Sequence, residues 1–264
     1  TDETQFKPLW SVKVDKQILS SPVVAGNLLV YGTYSNTVEA VSLEDGQPVW
    51  SLPLAAPVFT MKLGSDGRIY AGEGLHDDMA SNLTVIEPAS GKIVWQRQFL
   101  GHLEEESRLS PDQSRLYLGA GPSGLWAMDT KDGRLLWHQP LGHIDSCPLL
   151  LGETLYIPAQ VSETEHRTRF FALAAGSGKM QWQLDQPGQP WGSPLIDKNG
   201  RIILTSTGEG QIGVSRSTDR GWAYGLSRDG KTLWQTELPD MPIQPSLYLA
   251  EGDLVIHTVK SGEV

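Results

Sequence analysis

Short apolar runs separated by turn residues recur along the chain, and the first fifty residues show the pattern most completely. Residues 21–24, 28–31, 37–41 and 48–52 are rich in apolar side chains, and glycine, asparagine or aspartate stands between them. Runs of this length with alternating polar positions predict β-strands. An Asp-Gly dipeptide before the fourth run supplies the positive φ of a tight hairpin turn. The stretch therefore predicts four antiparallel strands, here called A, B, C and D.

The four-strand pattern recurs, and in five copies a glycine is followed four residues later by a tryptophan. Successive tryptophans of these copies lie 45, 42, 45 and 52 residues apart. Repeats of this period are typical of propeller blades or solenoid turns. The tryptophans of the pattern, with one more near the start of the chain, are Trp10, Trp50, Trp95, Trp137, Trp182 and Trp234.

A four-stranded sheet of this size is apolar on both faces and cannot bury them alone, so successive sheets must stack around an axis. A tryptophan can bury on the order of 200 Å² and its indole N–H can bind a backbone carbonyl. We therefore predict an all-β fold, a β-propeller of about six four-stranded antiparallel blades. One domain over 1–264 is expected, with one tryptophan per repeat docking a blade on its neighbour.

Both ends of the chain carry incomplete repeats. Residues 6–12 predict a strand D alone, while residues 245–259 supply strands A and B and residues 261–264 stop where strand C begins. Two arrangements agree with this pattern. Either the N-terminal strand completes the last blade and removes an open edge, or the sequence is a piece of a larger propeller.

Composition and charge narrow the range of partners. The chain has 21 Lys and Arg against 31 Asp and Glu, a formal charge of -10, which argues against nucleic acid or an anionic membrane surface. It contains no run long enough to span a membrane and no intact signal peptide, so we expect any export signal to have been removed. The one cysteine, Cys147, excludes an internal disulfide and a multi-cysteine metal site.

Insertions into the repeat point to one face of the propeller. The A–B and C–D turns are short, whereas three B–C connections are long, at 73–82, 160–168 and 208–221. B–C and D–A connections share a face, and insertions concentrated on one face mark a binding face. The candidate binding residues expected there are His102, Glu105, Glu106, Arg108, His143, Asp145 and Trp191. A merely solvated rim is the other interpretation of this set.

The sequence offers no catalytic or metal-binding constellation. His76, Asp77 and Asp78 are consecutive, but no partner with ligand spacing accompanies them. The Gly-x-Gly-x-x-Gly match at 208–213 follows a predicted antiparallel strand, with no amphipathic helix after it. We therefore predict no catalytic residue, no metal ligand and no residue that binds a cofactor.

The glycine-to-tryptophan spacing, with Ser-Pro opening a following strand A at 21–22 and 193–194, resembles the tryptophan-docked, PQQ-like propeller repeat over nearly the whole chain. Quinoprotein alcohol dehydrogenases, BamB-like outer-membrane assembly lipoproteins and sensor ectodomains share this repeat. These families generally have seven or eight blades, more than the six tryptophans of the pattern, which favours the second of the two arrangements and leaves the first open. The resemblance implies a monomeric periplasmic scaffold or sensor that binds a protein or peptide, attached peripherally or through a lipid at a removed N-terminus.

The quinoprotein resemblance implies an alternative, a PQQ-dependent dehydrogenase or a degenerate remnant of one. Such enzymes hold PQQ above a calcium ion and often cap it with a disulfide between adjacent cysteines. This chain has one cysteine and is about half the usual length. Glu105 and Asp145 could supply oxygen ligands, but no asparagine or catalytic aspartate matches the family motif. We therefore expect no cofactor, with PQQ and calcium as the alternative.

Overall fold

The computed structural model consists of β-strands, turns and irregular connections. The residues that it describes are 7–14, 16–18, 20–74, 80–162, 167–190, 192–207, 221–248 and 254–259. Over these ranges the structure contains no helix, and therefore none long and apolar enough to cross a membrane. The chain divides into two compact units, Thr1–Glu104 and Glu105–Val264.

The first unit contains two four-stranded antiparallel sheets in which neighbours in sequence pair with each other. Blade 1 comprises β1 (Val23–Ala25), β2 (Leu28–Thr33), β3 (Thr37–Ser42) and β4 (Pro48–Pro53). Blade 2 comprises β5 (Val58–Leu63), β6 (Ile69–Glu73), β7 (Ala80–Glu87) and β8 (Lys92–Leu100). The four strands of blade 1 agree with the four apolar runs of the sequence within two residues at each end.

Within its described residues, the second unit contains three more blades of the same order and one two-stranded sheet. Blade 3 comprises β9 (Arg108–Leu109), β10 (Arg115–Gly119), β11 (Leu125–Asp129) and β12 (Leu135–Gln139). Blade 4 comprises β13 (Leu149–Leu151), β14 (Thr154–Ser162), β15 (Arg167–Ala174) and β16 (Met180–Pro187). Blade 5 comprises β17 (Leu195–Ile196), β18 (Ile202–Thr207), β19 (Gly221–Leu226) and β20 (Thr232–Leu238), and β21 (Met241–Tyr248) pairs with β22 (Leu254–Val259). The predicted all-β architecture of four-stranded blades is confirmed.

Apolar side chains from adjacent blades interdigitate inside each unit. In the first unit, blades 1 and 2 share a cluster to which Val30 and Val38 contribute from one side and Val58 and Ile69 from the other, all fully buried. In the second unit, Phe170 of blade 4 and Tyr224 of blade 5 belong to one such cluster. Burial of each large apolar side chain stabilises the fold by about 1.5–3 kcal/mol. The cores thus lie between sheets, as the two-faced hydrophobic pattern requires.

The repeat tryptophan and the repeat glycine meet between neighbouring blades. Trp50 of blade 1 donates its indole N–H to the carbonyl of Pro88 of blade 2 at 2.8 Å. Its ring covers Gly91, where an added Cβ would lie 2.7 Å from Cδ2 and where φ is +66°. Both the contact and the left-handed φ require glycine. The same ring-on-glycine contact is made by the pairs Trp10–Gly46, Trp137–Gly178 and Trp182–Gly230.

A β-bulge precedes the repeat tryptophan in all five blades. In blade 1 the pairing of β3 with β4 shifts between Ala40 and Val41, which leaves Val49 without an opposite residue. The corresponding bulge residues in the other blades are Val94, Leu136, Gln181 and Leu233. A bulge bends the strand and increases its twist. The spacing of four residues between glycine and tryptophan therefore includes one residue outside the ladder, which strict alternation does not reveal.

The N-terminal segment differs from its predicted conformation. The sequence predicts a strand D over about 6–12, but residues 7–14 form no strand. Trp10 nevertheless packs on Gly46 and donates its indole N–H to the carbonyl of Leu43 at 2.8 Å. Docking of one ring is therefore possible without a backbone ladder. The role of this segment in a sixth blade and the single domain over 1–264 stay predictions.

Candidate functional site

The D–A connection between blades 3 and 4 is fixed by backbone hydrogen bonds on both sides. His143 and Gln160 exchange two such bonds, of 3.0 and 2.9 Å, and Gly121 and Ile144 exchange two more, of 3.1 and 3.0 Å. The connection thus behaves as a short extra strand between the ends of two strands B. Paired backbone groups hold their side chains in fixed directions.

Alternation along this connection separates an apolar side from a polar one. Ile144 is 1% exposed and packs in the core between blades 3 and 4, so its neighbours His143 and Asp145 point the other way. Both of those side chains are 22% exposed, and His143 Nε2 lies 2.9 Å from an Asp145 carboxylate oxygen. An ionised carboxylate only accepts, so Nε2 carries the donated hydrogen. Two predicted binding residues therefore form one polar pair on a fixed backbone.

The other predicted residues of the second unit lie at the start of blade 3. Glu105, Glu106 and Arg108 are half-buried. Arg108 begins β9, and its Nε donates to the carbonyl of Pro148 at 3.0 Å, next to the first strand of blade 4. Arg108 therefore holds two neighbouring inner strands together, which is a structural task in addition to any ligand contact.

In the first unit a buried carboxylate organises the base of the 73–82 insertion. Glu73 ends β6, is 0% exposed and accepts from the backbone N–H groups of Ala55 and Ala56 at 3.2 and 3.1 Å. It also accepts from Asn82 Nδ2 at 3.1 Å and from Thr84 Oγ1 at 3.0 Å. Buried carboxylates are costly unless hydrogen-bonded in this way. Glu73 thus joins the preceding D–A connection to both sides of the insertion.

The remaining predicted positions are one residue of the first unit and residues outside the described ranges. His102 belongs to the first unit and is 1% exposed, so its side chain is part of the interior of the chain. Trp191 lies outside the described residues, as do residues 75–79, 163–166 and 208–220 of the three insertions. The 160–168 insertion is shorter than predicted because β14 and β15 continue into it, with Gln160 opposite Thr168.

Sequence reasoning did not identify Glu73 or Gln160 as organising residues. Glu73 ends β6, and Gln160 lies two residues before the end of β14; blades 1 and 5 carry Thr33 and Thr207 at the ends of their strands B. A polar residue that ends a buried strand is the available signal, because its side chain lies at the height of the D–A connection. The end of strand B in blade 5 is also tied to the preceding D–A connection. There the N–H of Thr207 donates to the carbonyl of Gln189 at 2.8 Å, as the N–H of Gln160 does to the carbonyl of His143.

Beneath the connection between blades 4 and 5 lies a neutral hydroxyl pair. Ser206 forms a backbone bridge with Pro190, and its Oγ is 3.3 Å from the hydroxyl of Tyr224. Burial raises the pKa of Tyr224 to about 12, and the hydrogen bond to Ser206 opposes this rise. Tyr224 therefore stays protonated across the physiological range and acts in packing and hydrogen bonding.

Meander blades joined through tryptophan–glycine contacts define the class of protein, a β-propeller of the tryptophan-docked, PQQ-like repeat type. A family model described as outer membrane protein assembly factor BamB matches residues 2–107 and 79–259. The chain belongs to this family.

Two curated relatives illustrate the likeness. The outer membrane protein assembly factor BamB of Moranella endobia is 22% identical over 265 residues, covering 97% of this chain and 63% of the relative. That of Alkalilimnicola ehrlichii is 28% identical over 126 residues, covering 46% of this chain and 32% of the relative. The chain thus spans less than two thirds of the length of either relative.

Two solved structures share the fold. BamB from Moraxella catarrhalis superposes with a TM-score of 0.52 at 14% identity, covering 96% of this chain and 84% of that chain. A quinohemoprotein alcohol dehydrogenase from Pseudomonas putida superposes with a TM-score of 0.63 at 10% identity, covering 85% and 53%. At these identities the likeness concerns the fold alone, which occurs both in an assembly factor and in an enzyme.

Proposed function

We propose that this chain is a non-catalytic, extracytoplasmic β-propeller of the bacterial envelope that binds a protein or peptide partner. The binding face is the one that carries the 73–82, 160–168 and 208–221 insertions. Membership of a family described as an outer membrane protein assembly factor supports this proposal, because an assembly factor acts by contacting other proteins. A scaffold in assembly is favoured over a sensor ectodomain for the same reason. The protein is a monomer in this proposal.

One structural observation carries the choice of face. The connections there are tied to the strand-B ends by backbone pairs at His143 and Gln160 and by the buried carboxylate of Glu73. Preorganised positions bind at a lower entropic cost than mobile ones. Half-buried acidic side chains at Glu105, Glu106 and Asp145 give the face an acidic character that favours a partner with basic groups.

Capture of purified outer-membrane assembly proteins tests the proposal. Alanine changes in each insertion, and at Glu105, Glu106, His143 and Asp145, are expected to weaken capture at least tenfold in combination, since a few residues dominate most interfaces. Lys131→Ala with Asp132→Ala, in an exposed C–D turn of blade 3, is the matched control and should leave capture unchanged. Undiminished capture by all face variants would show that the face is wrongly assigned.

The likeness in fold to a quinohemoprotein alcohol dehydrogenase supports one alternative function, that of a PQQ-dependent dehydrogenase or a degenerate remnant of one. In that alternative Glu105 and Asp145 would be the oxygen ligands of a calcium ion, and the bound quinone would supply the redox chemistry. These residues fit a calcium ion poorly. Two half-buried carboxylates supply at most four oxygen ligands, whereas calcium takes about six to eight. Reconstitution with PQQ and calcium followed by dye reduction with alcohols decides it: turnover supports the enzyme, and no quinone retention excludes it.

A further inference from the structure

An apolar groove lies between blades 1 and 2 at the end of the blades opposite the proposed binding face. It has a volume of about 430 Å³, within the range of about 300–1,000 Å³ typical of ligand sites. The A–B and C–D turns form its edges. Its lining residues, all in the first unit, are Ala25, Gly26, Asn27, Leu28, Val49, Leu63, Gly67, Glu87, Pro88 and Ala89.

The apolar walls of the groove come from the edge of the interblade core and from the bulge in β4. Leu28 and Leu63 form part of its lining as half-buried side chains packed on the core between the two blades. Val49, the bulge residue of blade 1, is 51% exposed and forms part of the wall. Exposure of a β-branched side chain beside a concave apolar surface leaves area that a ligand can remove from water, worth about 25 cal/mol per Å².

Two glycine turns flank the groove and leave it open. An added Cβ at Gly26 or at Gly67 would meet no atom within 4 Å, so space is free above both backbones. Unsubstituted backbone lets another main chain approach closely. An extended peptide can therefore pass over these turns with one side chain directed into the groove, which favours a peptide over an enclosed small molecule.

The charge at the groove indicates which residue type should stand beside the apolar side chain in a bound peptide. Among the described residues that line the groove, Glu87 carries the only ionisable side chain, and it is exposed. Lys92 lies opposite Glu87 in the β7–β8 register and offsets part of its charge. The whole chain has a formal charge of -10, which attracts basic partners over longer distances.

From these observations we infer that the groove binds an aliphatic side chain of an extended peptide segment that carries arginine or lysine beside it. The apolar side chain packs against Val49, Leu28 and Leu63, and the adjacent basic group reaches Glu87. This second docking site is independent of the proposed binding face, because it lies on the turn side of the blades and uses none of the same residues.

The test uses the full chain labelled with ¹⁵N and titrated with short synthetic peptides. The probe is an acetylated, amidated five-residue peptide with a central leucine, arginine on each side and alanine at both ends. We expect saturable amide shifts confined to residues 25–28, 49, 63, 67, 87 and 89. A serine at the centre, or glutamate on each side, is expected to abolish saturation.

Variants of exposed residues separate the two contributions. Val49→Ser should weaken binding of the probe about tenfold through lost apolar contact, and Glu87→Gln about threefold to fivefold through lost charge. Glu44→Gln, at another exposed acid outside the groove, is the matched control and should not change affinity. Lys92→Gln should strengthen binding. Absence of saturable shifts, equal binding of the serine or glutamate peptide, or insensitivity to Val49→Ser and Glu87→Gln would overturn the inference.

Discussion

The indole ring of Trp50 lies on the α-carbon of Gly91 in the next blade, and its N–H binds the carbonyl three residues before that glycine at 2.8 Å. Tryptophan therefore recognises a backbone shape that only glycine provides. Because Trp137 and Gly178 repeat the arrangement in the second unit, the contact is a general joint of this fold.

Substitution of the covered glycine should destabilise the first unit more than substitution of an uncovered one. Gly91 and Gly26 have φ of +66° and +61°, but a Cβ at Gly26 meets nothing within 4 Å. Gly26→Ala should cost about 1–2 kcal/mol from the left-handed backbone alone. Gly91→Ala should cost a further 1–3 kcal/mol, roughly, from overpacking against the indole. Urea unfolding measures both, and equal losses would contradict a role for the ring contact.

Loss of the indole N–H should leave a carbonyl unsatisfied. Trp137 donates to the carbonyl of Ala175 at 3.0 Å, so Trp137→Phe should lower the free energy of unfolding by about 1–3 kcal/mol. Trp234 is the comparison in the same unit, since its ring rests on Gly225 of its own sheet. Trp234→Phe should cost less when both are measured by chemical denaturation. A larger loss at Trp234 would argue against the interblade hydrogen bond.

Neutralising Glu73 should loosen the base of the first insertion. Glu73→Gln retains the shape but replaces an acceptor oxygen with a donor facing other donors, and about 2–3 kcal/mol should be lost. Hydrogen exchange at the amides of Ala55 and Ala56 should accelerate, since both donate to this carboxylate. The exposed Glu87→Gln should change stability by less than about 0.5 kcal/mol. Unchanged exchange at the two alanines would show that the carboxylate does not hold the connection.

The carboxyl group of Asp112, in the A–B turn of blade 3, should have a lowered pKa. Hydrogen bonds from the side chain of Ser110, then from the side chain and backbone of Ser114, lower the pKa of Asp112 from 3.8 to about 2. Because the folded pKa is the lower one, the stabilisation is present above pH 3.8 and is lost as pH falls towards 2. Ser110→Ala should raise the pKa of Asp112, which an NMR titration of its carboxyl carbon measures. Ser177→Ala, in another blade, should leave it unchanged.

The blades could be predicted from sequence because their determinants are local. Strand alternation, the turn glycines and the recurring tryptophan each act within about fifty residues, so periodicity alone identifies five complete sheets. The bulge at Val49 and the missing strand at 7–14 could not be predicted. A short segment with alternating apolar residues can form a paired β-strand, or it can contact a sheet through one side chain without backbone pairing. Tertiary contacts decide which of the two forms.

The site was predictable only in part, since its organising contacts join distant residues. The pair of His143 and Asp145 follows from strand alternation over three residues. Glu73, by contrast, binds Ala55 and Ala56 at a separation of 17–18 residues. Its place at the end of a buried strand is the one local signal, and that signal does not identify these partners. Burial of His102 likewise depends on neighbours brought together by the fold.

Photo-crosslinking in bacterial cells tests the central claim most directly. A photoreactive phenylalanine derivative placed at Glu105, Glu106 or His143 probes the proposed binding face, and the same group at Lys131 or Asp132 probes an exposed turn of the same unit. The account predicts adducts with an outer-membrane assembly protein from the first three positions and none from the turn. Adducts from the turn alone, or from neither set in folded protein, would contradict it.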